Sequence, residues 1–153
     1  MPNILLINGP NLARLGKRKP DIYGTSTLRE VEENIALLSS KSDFHCKCFS
    51  SNHEGEIIDF IDENRSATGI IINPGALMMS GWALRDALED YEGICIEVHI
   101  SNIWARENFR HQSLLSPVVN GMIAGMGVVG YTIALNAILE IHMFSKETET
   151  NEI

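Results

Sequence analysis

Five short apolar or β-branched runs, "NILLIN", "HCKCFS", "GIIIN", "GICIEV" and "GMIAG", are bounded by polar residues or glycine, and longer amphipathic segments separate the first four. Runs this short suit strands, and near-continuous apolar character suits strands covered on both faces, which parallel pairing through helical crossovers produces. The pattern predicts an α/β fold around a parallel sheet. In "TSTLREVEENIALLSS", Thr27 and Glu30 form a capping box, and Leu28, Val31, Ile35 and Leu38 share one helical stripe that would cover the sheet. A second helix is predicted to begin near Glu54 and carry Ile57, Ile58 and Ile61. A third, "GWALRDALEDY", presents Trp82, Leu84 and Leu88 to the interior. The last helix is predicted from about Gly130 to Met143, closing a domain over residues 1–143. Residues 144–153, with "SKETETNEI", read as an acidic, polar tail.

The 153 residues, 44% of them hydrophobic, fit one domain with a core of ordinary size. A net charge of -8 opposes non-specific binding to nucleic acid. No apolar run approaches the roughly 18 residues that span a bilayer. The start "MPNILLINGPN" lacks the basic flank and cleavage pattern of a signal peptide, so a cytoplasmic location is expected. Cys46, Cys48 and Cys95 are an odd number, and "CKC" has no second pair, which points to reduced thiols and away from a metal site.

Five strands with helices on both faces predict the flavodoxin-like, doubly wound arrangement, whose ligands bind outside the carboxyl ends of the strands. The site should therefore come from the segments that leave strands one, three and four. The first is a long connection of about sixteen residues, "NGPNLARLGKRKPDIYG", with Arg14, Lys17, Arg18 and Lys19 leading to Tyr23. A phenol serves as a base near neutral pH only where neighbouring cations favour its phenolate form, and a basic loop around Tyr23 is what that requires. The same residues also describe a solvated loop with an anchoring tyrosine. The second segment opens with Asn73, whose amide could meet a ligand, although Asn-Pro-Gly is equally a turn sequence.

The third segment follows "IEVHI". Residues two apart on a strand share a side, so Glu97 and His99 face one way while Ile96, Val98 and Ile100 face the other. A carboxylate beside an imidazole can set its tautomer and prepare a general acid. Ser101 and its neighbouring backbone N–H groups form a candidate anion nest, followed by Arg106 and Arg110, which read equally as surface charge. "GMGVVG", Gly125 to Gly130, satisfies G-x-G-x-x-G, but one helix follows it and no further strand; it reads as tight strand-to-helix packing.

Taken together, "INGPNLARLG", "YGTSTL", "SNHEGEIIDFI", "INPGA", "ALRDAL", "IEVHISNI" and "GYTIAL" resemble the type II 3-dehydroquinate dehydratases, in order and spacing, over about Asn3 to Leu139. The resemblance implies a flavodoxin-like fold, a dodecamer built from trimers, no metal and no organic cofactor. It implies anti elimination of water from 3-dehydroquinate through an enolate. Carried over by motif, Tyr23 matches the base, Arg18 the residue that holds it as phenolate, and Asn11 the residue that positions a water at the enolate oxygen. His99 matches the acid that protonates the departing hydroxyl, oriented by Glu97. Asn73, Ile100 and Ser101 match substrate-binding positions, Arg110 a contact to substrate hydroxyls, and Asp86 a residue that reaches a neighbouring subunit's site. Two positions depart from the family pattern: Met79 and Trp104 stand where it carries histidines, the first of them a contact to substrate hydroxyls. Those departures leave two further readings open, a related elimination or enolisation on a less hydroxylated ring and a non-catalytic binding protein.

Overall fold

The computed structural model describes residues 1–151. Five parallel strands, β1 (Asn3–Asn8), β2 (His45–Ser50), β3 (Gly69–Asn73), β4 (Ile94–His99) and β5 (Gly121–Ala124), stand in the order β2-β1-β3-β4-β5. That is the flavodoxin-like order expected from the run pattern. Between them lie α1 (Pro20–Tyr23), α2 (Leu28–Lys41), α3 (Glu54–Glu63), α4 (Leu77–Ser80) and α5 (Trp82–Glu89), with α6 (Val129–Asn151) last. Strand alternation divides the core in two. Ile4, Leu6, Ile71, Ile96 and Val98 meet α2 and α6 through Ile35, Leu135 and Ile138. Leu5, Ile7, Ile70 and Ile72 meet α3 and α5 through Ile57, Ile61, Leu84 and Leu88. Burial of both faces explains why the central runs carry no polar alternation.

The predicted capping box is present: Thr27 Oγ1 accepts from the Glu30 amide at 3.2 Å, and the Glu30 carboxylate accepts from the Thr27 amide at 3.0 Å. Two expectations are corrected. Trp82 does not face the interior; it is 63% exposed, because an eight-residue helix has room for one buried stripe and Leu84, Ala87 and Leu88 supply it. The segment read as a tail is helical as far as α6 runs, to Asn151, and residues 152–153 lie outside the described residues. No Gly or Pro follows Gly130 to stop it, and its Lys and Glu residues are good helix formers. Ser145 and Thr148 hydroxyls donate back to the carbonyls of Ile141 and Phe144 at 3.0 and 2.9 Å.

The glycine-rich motif packs as expected, with a Cβ at Gly130 meeting Val98 Cγ1 at 3.3 Å. The backbone amides of Gly125 and Gly127 donate to the carbonyls of His99 and Ile100, fastening the end of β4. Gly69 is tighter still: an added Cβ would lie 2.5 Å from Ile138 Cγ2, and Ile138 is fully buried and cannot give way. Gly69→Ala is expected to destabilise the protein by about 1–3 kcal/mol through overpacking, read as a lower urea midpoint at unchanged slope.

Candidate active site

At the carboxyl edge of β1, β3 and β4, Asn11, Arg18, Tyr23, Asn73, His99, Ile100, Ser101 and Arg110 line one cavity. Eight of the expected site residues, scattered over a hundred positions of chain, thus share a single space. The edge lies where the winding of the sheet reverses, between β1 and β3, which opens a crevice between their departing loops.

His99 is 5% exposed and Glu97 is fully buried, and His99 Nε2 donates to Glu97 Oε2 at 2.5 Å. Ile96, Val98 and Ile100 point into the opposite core cluster, as their alternation requires. An ionised carboxylate only accepts, so its remaining oxygen needs donors inside the protein. Ser113 Oγ supplies one to Glu97 Oε1 at 2.9 Å and Ser116 Oγ a second at 3.2 Å. Ser113 Oγ also accepts from the amides of Leu115 and Ser116. Its acceptor capacity is thereby used, and its proton is left for Glu97. No expectation from the sequence included these serines, and their separation from Glu97 in the chain gives no local signal.

Tyr23 ends α1, a single turn that begins at Pro20 after Lys19 in a left-handed conformation (φ 38°). Arg106 Nη1 donates to the Tyr23 hydroxyl at 2.7 Å, and the guanidiniums of Arg18 and Arg106 sit 5.3 and 5.4 Å from its ring centroid. Both cations attend the ring, but the oxygen's partner is Arg106, whereas the resemblance gave the holding role to Arg18. Arg106, which by sequence reads equally as surface charge, has a side chain only 12% exposed that lines the cavity. It also reaches Ser101 Oγ at 3.4 Å.

Asn11 is left-handed (φ 68°), and its amide donates to Asn52 Oδ1 at 2.9 Å. Asn73 lines the cavity while serving the scaffold: Oδ1 accepts from the Gly75 amide at 3.1 Å and Nδ2 donates to the Tyr131 hydroxyl at 2.9 Å. Each end of the amide keeps one further bonding position for a ligand. The Tyr131 hydroxyl donates to Asn8 Oδ1 at 2.6 Å, and burial holds that phenol well above its usual range, so it stays a neutral donor. Arg110 is paired at the rim with exposed Glu107 at 2.9 Å.

Met79 and Asp86 do not line the cavity within one chain; Met78, 2% exposed, supplies that wall. Asp86 is exposed on α5, one turn beyond exposed Trp82. Trp104 also lies outside, tilted against His111 at 5.2 Å, and His111 Nε2 donates to the Arg106 carbonyl at 3.0 Å. The Trp104 departure therefore bears on the support of Arg106 and makes no wall of the cavity.

Residues 2–139 match the model of the family described as Dehydroquinase class II. The chain is 48% identical over 141 residues to the 3-dehydroquinate dehydratase of Halalkalibacterium halodurans, covering 92% of this chain and 97% of that protein. It is 43% identical to the Bacillus subtilis 3-dehydroquinate dehydratase over 140 residues, covering 91% and 95%. The crystal structure of the type II dehydroquinase from Butyrivibrio crossotus superposes with a TM-score of 0.87 at 44% identity, over 90% of this chain and 97% of that one. With a family model spanning nearly the whole fold, and relatives of this identity matched almost end to end, the chain belongs to the class II dehydroquinases.

Proposed function

We propose that the protein dehydrates 3-dehydroquinate to 3-dehydroshikimate by anti elimination through an enolate. The observation that carries this reading is a phenol held by a guanidinium and an imidazole backed by a buried carboxylate, opening into one cavity. Tyr23, as phenolate, takes the proton at C2, and Arg106 donates to the oxygen that bears the charge; Arg18 adds a second cation over the ring. The electron pair moves onto the ketone oxygen, where a water positioned by Asn11 donates. Collapse of the enolate expels the C1 hydroxyl, which His99 protonates. Because His99 Nε2 is bonded to Glu97, Nδ1 is the nitrogen that delivers the proton. Ile100 and Ser101 receive the substrate carboxylate, and Asn73 and Arg110 meet its hydroxyls.

These are proton transfers that the chain's own side chains perform, with no metal or organic cofactor in the scheme. Asp86 and its exposed neighbour Trp82 lie on a face suited to another subunit, in keeping with a cytoplasmic homododecamer built from trimers in which Asp86 reaches the adjoining site. The test is turnover of 3-dehydroquinate followed by the ultraviolet absorbance of the conjugated product. Undetectable turnover by the intact chain would overturn this reading in favour of a less hydroxylated ring or of binding alone.

The serine pair gives a finer expectation. Ser113→Ala removes a donor from a buried carboxylate, and a hydrogen bond to a charged group contributes about 1.5–3 kcal/mol, so kcat should fall roughly tenfold or more. KM should stay near the wild-type value, because Ser113 lies outside the cavity lining. A rise in KM at unchanged kcat would place Ser113 in binding instead.

A further inference from the structure

Cys46 and Cys48 lie on the edge strand β2, two residues apart and therefore on one side of it, with their sulfurs 3.7 Å apart. Cys48 is exposed and Cys46 half-buried. Neither lines the catalytic cavity. Residues two apart on a parallel strand have Cα atoms roughly 6.6 Å apart and parallel Cβ directions, while a disulfide wants Cβ atoms about 3.5–4.5 Å apart. Closing an S–S bond would pull β2 out of its pairing of Cys46 with Ile4 and Cys48 with Leu6. A single bridging atom makes no such demand. Two bonds of about 2.3 Å, the length of a zinc–thiolate bond, span 3.7 Å at an angle of about 107°, close to tetrahedral or pyramidal geometry.

The chemistry of the pair agrees with that geometry. The Cys48 thiol, by hydrogen bonding, holds the Cys46 thiol below its ordinary value; the Ser39 hydroxyl adds to this, and burial and Glu32 oppose it. Cys48 is correspondingly pushed up, first by its bond to Cys46 and then by burial, so the two sulfurs hold their protons unequally. Among the described residues no group of three or more His, Cys, Asp or Glu side chains could enclose a metal ion. Two sulfurs without a third protein ligand suit a three-coordinate centre that brings its own third substituent.

We propose that Cys46 and Cys48 form a dithiol site for a trivalent thiophilic metalloid of the arsenic type, bridged between the two sulfurs. The probe is phenylarsine oxide. Its arsenic forms two As–S bonds, its oxygen leaves with the two thiol protons as one water, and arsenic stays trivalent. Native wild-type protein is expected to take one phenylarsenic group per chain by intact mass, stable to excess monothiol and removed by ethanedithiol. The adduct should be retained in Cys95→Ala, because Cys95 is buried and its thiol is pushed up by burial and by Glu97. It should be lost in Cys48→Ser, an exposed position that leaves the core alone, and in Cys46→Ser. Turnover, whatever its substrate, should be the same with and without the adduct. No adduct on the native chain, an adduct displaced by monothiol, or a monothiol-resistant adduct surviving in Cys48→Ser would overturn the proposal. So would oxidation of native protein to an intact Cys46–Cys48 disulfide, which would make the pair a redox couple.

Discussion

Tyr23→Phe is expected to lower kcat by about 10²- to 10⁴-fold, the range for a lost general base, while a ground-state analogue binds nearly as before. Phenylalanine keeps the ring that Arg18 and Arg106 overlie and removes only the oxygen that Arg106 meets. Arg106→Ala should produce a loss in the same range, and the double variant should be little worse than either single one, because both changes remove the same charged oxygen or its partner. Arg18→Ala acts on the same step but leaves the hydrogen bond, so its loss should be the smaller. Single-turnover rates across the four proteins decide this. Full turnover by Tyr23→Phe would remove Tyr23 from the mechanism, and additive losses would separate Arg106 from it.

His99→Ala and Glu97→Gln should both impair elimination by about 10²-fold or more while leaving the affinity for a carboxylate-bearing analogue intact. The alanine removes the acid. The glutamine is subtler: it preserves volume but removes the charge that supports the doubly protonated ring, and an amide N–H presented to Nε2 holds the ring neutral, leaving Nδ1–H a far weaker acid toward substrate. It also puts an amide where Ser113 and Ser116 donate to a carboxylate. Normal turnover with weakened analogue binding would make the pair a binding element.

Much of this architecture was legible from the chain because buried parallel strands leave an unmixed apolar record, and "NILLIN" and "GIIIN" emerge as β1 and β3 within their expected limits. Glu97 and His99 stood out because they interrupt such a record. Arg106 did not, since nothing local tells a surface arginine from one whose partner lies 83 residues earlier at Tyr23. Ser113 and Ser116 were silent for the same reason: a hydroxyl's importance depends on which buried charge it meets. Trp82 misled because stripe counting places a residue on a face without saying where the neighbouring layer ends. The last turns of α6 misled differently. Polar composition was read as absence of structure, although Lys, Glu and a missing stop signal permit a helix that touches little.

The bonds among Asn8, Asn73 and Tyr131 join positions separated by 58 and 123 residues, and Tyr131 belongs to the last helix. The tie between the ends of β1 and β3 is thus complete only once the last helix is in place. A chain emerging from the ribosome would already contain Tyr23, Glu97, His99 and Arg106, and all five strands, before it could seat the phenol that ties β1 to β3. Translation runs in one direction, so the side chains that line the cavity are made before the helix whose docking seats the phenol beside Asn73.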